Sequence, residues 1–152
     1  MSDRFRDKLR NSMRAEQKAR KLAQEEEARR RREEETQKQG DLRRRQKFVQ
    51  QEIAPLLEIV NEEYLDGRGK ITLGELGAYV ELEWDQRPRK SLYLTLSADN
   101  FVKLRAGSGY FRTYSIQKPD WIDRMEDEIC LLCTQRRSEL VVSDRSAWGN
   151  VR

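Results

Sequence analysis

The sequence predicts an α+β fold: a long charged N-terminal helix, an amphipathic helix, a meander of three to four antiparallel strands, and a C-terminal helix packed on the sheet. Three observations support this prediction. The first 39 residues contain no glycine or proline. Two later segments carry apolar residues every three or four positions, as helices do, and the segment between them alternates apolar with polar residues, as strands do. We expect a charged extended helix or arm over residues 1–40, an α+β domain over residues 41–140, and a flexible tail over residues 141–152.

Charge is distributed unevenly along the chain. Lys, Arg, Asp and Glu make up 38% of the 152 residues, against about 25% in a typical globular protein. Residues 1–52 hold 17 basic and 11 acidic residues, whereas the rest of the chain holds 14 basic and 16 acidic residues. The net charge of +4 is therefore a property of the N-terminal part.

The composition limits the chemistry that we expect. The chain contains no histidine, which excludes a histidine general base, a Ser–His or Cys–His nucleophile and a mixed Cys/His zinc site within one chain. No phosphate-binding glycine loop or nucleophile motif is visible. We therefore expect a protein that is not an enzyme, with no cofactor, no metal and no small-molecule substrate.

The chain also lacks the signals of a membrane or secreted protein. No run of about 18 apolar residues predicts a membrane span. The start, MSDRFRDKLRNSM, is basic but has no apolar run behind it, unlike a secretory signal. A cytoplasmic location is the expectation.

The block EEEARRRREEE at residues 25–35 predicts a helix held by charge pairs. Each glutamate of the first group lies four residues before an arginine, and such a pair contributes about 0.2–0.5 kcal/mol to a helix. A disordered arm is the alternative. Apolar residues here are sparse, and the four-residue spacing of the first three drifts from a heptad repeat and then fades. We assign four of them to partner binding: Phe5, Leu9, Met13 and Leu22.

Arg29–Arg32 form a basic run, but residues 16–38 hold eight basic and seven acidic groups and are nearly neutral. The more basic segments lie at the two ends of the arm. Arg43, Arg44 and Arg45 are therefore candidate phosphate contacts if the protein binds nucleic acid.

Gly40 and Asp41 predict a break and an N-cap before a second helix. Apolar residues at spacings of three and four predict that this helix buries one face: Val49, Ile53, Leu56, Val60 and Tyr64. A core helix is the first interpretation. A dimer seam is compatible with it, so the first four of these residues are also candidate partner-binding residues. Pro55 predicts either a kink or the start of a new helix.

The segment LDGRGKITLGEL, residues 65–76, has the glycine turn of a calcium-binding EF-hand loop. With Gly69 at the sixth position of that loop, however, Tyr64 stands at the first ligand position and Arg68 at the fifth. Two oxygen ligands are missing, and a cation replaces one of them. We therefore interpret DGRG as a glycine-rich turn that leads from helix to sheet.

Alternation predicts the strands. Residues 76–84, LGAYVELEW, and residues 92–96 form an antiparallel hairpin, and FVKLRAG and SGYFRTYSI continue the meander around the turn AGSG. The last strand places Tyr110, Arg112 and Tyr114 on one face. Open sheets that stack RNA bases carry such residues, but packing of aromatic rings across strands is the commoner explanation.

The final helix follows Pro119, with Asp120 as a candidate cap. Cys130 and Cys133 form a C-x-x-C pair inside it, whereas a redox pair lies at a helix N-terminus. A zinc site would need two further ligands, which only a second copy of the chain can supply. The roles of this pair and of Trp148 in the tail stay open.

These features favour a non-enzymatic interaction or scaffold protein, which self-associates or docks a protein partner through its N-terminal helical region. A coiled-coil homodimer is the expected form. The alternative is a nucleic-acid-binding protein that uses the basic ends of the arm together with Tyr110, Arg112 and Tyr114.

Overall fold

The computed structural model describes residues 2–143 and has the predicted α+β fold. A long helix and a second helix precede the sheet, and a third helix follows it. The sheet has five strands rather than three to four. The elements, in chain order, are α1 (Ser2–Phe48), a π-helical turn (Val49–Ile53), α2 (Ala54–Glu63), β1 (Lys70–Leu73), β2 (Tyr79–Trp84), β3 (Lys90–Leu96), β4 (Phe101–Ala106), β5 (Tyr110–Ser115), α3 (Trp121–Thr134) and a 3₁₀ turn (Arg137–Leu140).

The chain divides into two compact units, one ending at Gly40 and one beginning at Asp41, and we describe each by itself. Helix α1 nevertheless continues through both residues, so the predicted break and N-cap are wrong. A single glycine inside a helix costs only about 1 kcal/mol relative to alanine. The carboxylate of Asp41 pairs with Arg44, one turn further on, instead of capping a new helix.

The π-helical turn accommodates Pro55, which lies in the first turn of α2. Proline has no N–H, and its ring clashes with the preceding turn of a regular helix. The wider turn avoids this clash, and the N–H of Ala54 donates to the carbonyl of Val49, five residues back. The backbone is helical at Phe48, Ile53 and Ala54, so α2 continues from α1 through this turn rather than starting after a break.

Strand β1 was not predicted: its four residues lie between the turn DGRG and the alternating segment that begins at Leu76. The turn itself is present just before it: Gly67 has a φ of +78°, and the N–H of Gly69 donates to the side-chain oxygen of Asn61 at 2.8 Å. Residues 74–78 then form the loop between β1 and β2. Leu76, the first residue of the predicted strand over residues 76–84, is 96% exposed in that loop.

The five strands pair antiparallel in the order β1-β2-β3-β4-β5. One face of the sheet packs with α2, the π-helical turn and α3 into a single apolar core, as predicted for both amphipathic helices. The strands contribute the following buried residues: Val80, Leu82, Trp84, Leu92, Leu94, Leu96, Val102, Leu104, Ala106 and Tyr110. The sheet's other face is more exposed and more polar.

Helix α3 buries an apolar stripe that includes Met125, Ile129 and Leu132, as predicted. Asp120 precedes the helix, but its side chain makes no capping hydrogen bond. The chain then returns to the sheet: Val141 bridges to Lys90, and the N–H of Val142 donates to the carbonyl of Arg89 at 2.7 Å.

Val141 and Val142 of the predicted tail are therefore bonded to the chain at the start of β3, and Ser143 bonds to Ser108 in the β4–β5 turn. Trp148 lies outside the described residues. Within residues 2–143, none of the helices combines the length and the apolar character needed to cross a membrane.

Candidate interaction surfaces

Before Gly40, helix α1 exposes its apolar side chains to solvent, whereas Leu42 and Phe48 near its end pack against the core. None of its residues is buried. Phe5, Leu9 and Met13, spaced one turn apart, are exposed, and Phe5 is 66% exposed. We call these three residues the α1 patch. Leu22, the fourth predicted partner-binding residue of this helix, is also exposed.

Charge pairs stabilise the part of α1 before Gly40, which packs against no core among the described residues. Arg30 and Arg31 donate to Glu26 and Glu27 at 3.2 Å and 2.8 Å, as the block EEEARRRREEE predicts. Arg20 makes the same kind of pair with Glu16 at 2.7 Å. Exposed pairs of this kind contribute about 0.3–0.5 kcal/mol each, so several together support a helix that has little packing.

The second group of predicted partner-binding residues lies in the domain's own core. Val49 and Ile53 are buried, and Leu56 and Val60 are half-buried against the same cluster. Their helical spacing is thus explained by packing within the chain.

The three candidate phosphate contacts differ in their surroundings. Arg43 and Arg44 are exposed, and Arg44 pairs with Asp41. Arg45 is half-buried and donates to the carbonyl of Leu96 at 3.1 Å. Gln46 beside it donates to the carbonyl of Glu75 at 2.9 Å, so the end of α1 is bonded to the sheet.

Tyr110, Arg112 and Tyr114 share one face of β5, as predicted, but that face is the covered one. They stand opposite the buried residues Ala106, Leu104 and Val102 of β4. Tyr110 is only 8% exposed. Their parity in the strand is that of the core residues, which favours the packing of aromatic rings over the stacking of bases, although Arg112 itself is exposed.

Arg112 is engaged within the domain. Its guanidinium lies 4.5 Å from the centre of the Tyr110 ring and 4.0 Å from a carboxylate oxygen of Glu128 on α3. The contact between Arg112 and Tyr110 therefore accounts for the positions of both side chains without a ligand.

The opposite face of the sheet, which we call the open sheet face, carries the side chains that alternate with the core. Tyr79 and Tyr93 form a ring pair there, with centroids 5.1 Å apart and planes inclined at 30°. The register places Tyr93, Arg105 and Phe111 in one row across β3, β4 and β5. Lys103 lies 4.9 Å above the Phe111 ring.

A shallow groove of about 560 Å³ lies on this face. It is polar, with tyrosine and serine hydroxyls, two arginines and one carboxylate along its walls. Its lining residues are Tyr79, Glu81, Arg89, Ser91, Tyr93, Arg105, Gly107, Ser108 and Val142.

The carboxyl group of Glu81 has a raised pKa. Burial, together with a hydrogen bond and charge repulsion from Glu83, raises the pKa of Glu81 to about 7, while Arg89 acts in the opposite direction. Near neutral pH this carboxyl group is therefore only partly ionised.

Replacing Glu81 with glutamine is expected to change how stability depends on pH. Between pH 4.5 and about 7 the folded protein holds a proton on Glu81 that the unfolded chain has lost, so the free energy of unfolding falls as the pH rises. Glu81→Gln removes this slope and is more stable than the wild type above that range. The difference is on the order of 1 kcal/mol, because solvent screens this half-exposed group.

Urea denaturation of both proteins across this pH range measures the effect. Glu126→Gln, at an exposed position of α3, serves as the control and is expected to keep the wild-type slope. An unchanged slope in Glu81→Gln would contradict the assignment.

The cysteine pair divides between core and surface. Cys130 is exposed and Cys133 is buried. Burial raises the pKa of Cys133 to about 11, which disfavours the thiolate that redox or metal chemistry requires. Within residues 2–143, no group of three or more Cys, Asp or Glu side chains is arranged to hold a metal ion.

Comparison with protein families, curated proteins and solved structures finds no significant match to this chain.

Proposed function

We propose that this protein is a non-enzymatic interaction protein that self-associates through helix α1, as a homodimer, and acts in the cytoplasm. The observation that carries this proposal is the exposure of the α1 patch on a helix without any buried residue. In an isolated helix the apolar side chains of Phe5, Leu9 and Met13 stay in water, whereas their burial is favourable at about 25 cal/mol per Å².

A second copy of the helix is the occupant that this surface fits best. Helices that are polar around most of their circumference bridge other elements or depend on charge pairs between neighbouring turns. The ion pairs between Glu26 and Arg30 and between Glu27 and Arg31 stabilise α1 before assembly. The narrow apolar patch then buries its side chains against a partner helix, in the manner of a coiled coil. The absence of histidine from the chain favours a role in binding over one in catalysis.

Replacing both Leu9 and Met13 with glutamate is expected to return the protein to its monomer mass. Sedimentation equilibrium of the full chain, at low and high micromolar concentration, would give a multiple of 18.1 kDa for the wild type and 18.1 kDa for the double variant. Two carboxylates within an apolar helix contact oppose its burial strongly.

The matched control makes the same charge change on the other side of α1. Asn11→Glu together with Lys18→Gln also lowers the net charge by two units, but both positions lie on the side of the helix away from Leu9 and Met13, given about 100° per residue. This control is expected to keep the wild-type mass. A wild-type protein that stays monomeric at the highest concentration overturns the proposal.

A further inference from the structure

The open sheet face combines aromatic rings with cations on a flat surface. Tyr79 and Tyr93 lie together at one position, with their centroids 5.1 Å apart. Phe111 lies two strands away from Tyr93, a distance of about 10 Å, and is 55% exposed. The face therefore offers two separate places on which a flat ring can stack.

Of the cations of this face, Lys103 already lies over the Phe111 ring. In the described part of the chain, Arg89, Lys103 and Arg105 form no ion pair with a carboxylate. All three are exposed, and Arg105 stands between Tyr93 and Phe111 in the same row. A ligand that stacks on either ring would thus place its neighbouring groups beside a guanidinium.

The one carboxylate among the described lining residues of the groove offers little opposition to an anion. Glu81 has a pKa of about 7, so a large fraction of it is protonated near neutral pH. With Arg89 and Arg105 on the same walls, the groove is net positive. Ser91 and Ser108 also line the groove, but Ser91 is buried and the hydroxyl of Ser108 accepts hydrogen bonds from Ser143.

We infer that the open sheet face binds single-stranded nucleic acid, with bases stacked on Tyr93 and Phe111 and phosphates held by Arg89, Lys103 and Arg105. Rings of this kind stack any base, and the flanking cations follow the phosphate backbone. The inference is independent of the self-association proposed above. It also places nucleic-acid binding on the sheet face opposite the one that carries Tyr110, Arg112 and Tyr114.

Other anionic partners match fewer of these features. An acidic peptide would use the cations but would leave the exposed ring of Phe111 without a role. A duplex keeps its bases paired and stacked inside, so it can contact the cations but not the rings. Single strands alone present an unstacked base next to each phosphate, which is the combination that the row Tyr93, Arg105 and Phe111 matches.

Fluorescence anisotropy with a labelled oligouridylate of about 12 nucleotides, within the usual site size of sheet-based binders, tests the inference on the full chain. The wild type is expected to bind at low salt and to lose affinity steeply as salt is added. Phe111→Ala and Tyr93→Ala are each expected to weaken binding roughly tenfold through lost stacking. Arg105→Gln is expected to reduce the salt slope by about 0.7, the contribution of one phosphate contact on a single strand.

Matched controls separate this site from other surfaces. Arg112→Gln makes the same charge change on the covered face, and Ile59→Ala removes an exposed apolar side chain from α2; neither is expected to change the affinity. Because Phe111 and Arg105 are exposed, their variants keep the fold, which circular dichroism verifies.

Several results would overturn the inference. One is the absence of binding at low salt. Another is binding that falls in Arg43→Gln/Arg44→Gln but not in Phe111→Ala or Arg105→Gln, which would place the site on α1. A third is equal affinity for a duplex or for poly-glutamate, since stacking would then have no part in recognition.

Discussion

Leu82→Ala is expected to lower the free energy of unfolding by about 2–5 kcal/mol, the usual cost of truncating a buried leucine. Leu82 is fully buried in β2. It pairs with Ile71 on one side and Leu92 on the other, so its loss leaves a cavity that the paired strands cannot close. Urea denaturation followed by the fluorescence of the buried Trp84 and Trp121 measures the change.

Leu76→Ala is the matched control, because simple alternation along LGAYVELEW puts Leu76 and Leu82 on the same face. In the structure Leu76 is 96% exposed in the loop before β2. Its truncation is expected to change stability by less than about 0.5 kcal/mol, as at most surface positions. Equal losses at the two positions would mean that the strand begins at Leu76.

Gly107→Ala is expected to cost about 2–4 kcal/mol, since two effects act at this position. Gly107 has a φ of +58°, which a residue with a Cβ adopts only with strain. A Cβ there would also overlap the carbonyl oxygens of Glu139 and Val141. The segment after α3 must therefore move away from the β4–β5 turn, and its contacts with the sheet are expected to loosen with it.

Gly109→Ala provides the comparison within the same turn. A Cβ at Gly109 meets no atom within 4 Å, and its effect on stability is expected to stay below about 0.5 kcal/mol. The midpoints of urea denaturation compare the stabilities of the two variants. If Gly107→Ala is as stable as Gly109→Ala, the close approach of residues 139–141 to the turn is wrong.

The sequence predicted those elements whose cause is local. Helix α1 follows from charge pairs at four-residue spacing, and the core face of the sheet follows from period-two alternation in YVELEW and SLYLTL. The stripe on α3 was visible for the same reason. Each of these patterns is set by neighbouring residues along the chain.

The errors came where the surroundings of a short segment outweigh the signal of the segment itself. Gly40 and Asp41 indicate a helix end, yet the flanking residues are good helix formers and the helix continues. The four residues of β1 were hidden in a glycine-rich segment, because a short edge strand is recognised by its partner Tyr79–Trp84 rather than by its own pattern.

The candidate site shows the same division. Alternation assigns Tyr79, Tyr93 and Arg105 to the side of the sheet opposite the core, so the sequence alone could have predicted their place on the open sheet face. Attention to GYFRTY selected Tyr110 and Arg112 instead, whose parity matches the buried residues of β4. The groove could not be predicted from the sequence, because its walls combine residues from distant parts of the chain, among them Arg89, Ser108 and Val142.

Helix α1 is one continuous helix, but its two parts differ in how readily their backbone hydrogen bonds open. In its last two turns, the side chains of Arg45 and Gln46 donate to the carbonyls of Leu96 and Glu75. The turns before Gly40 have no such bonds in the described part of the chain. Their backbone amides therefore exchange with solvent through local fraying in an isolated monomer, and slow exchange there would report a partner helix lying alongside.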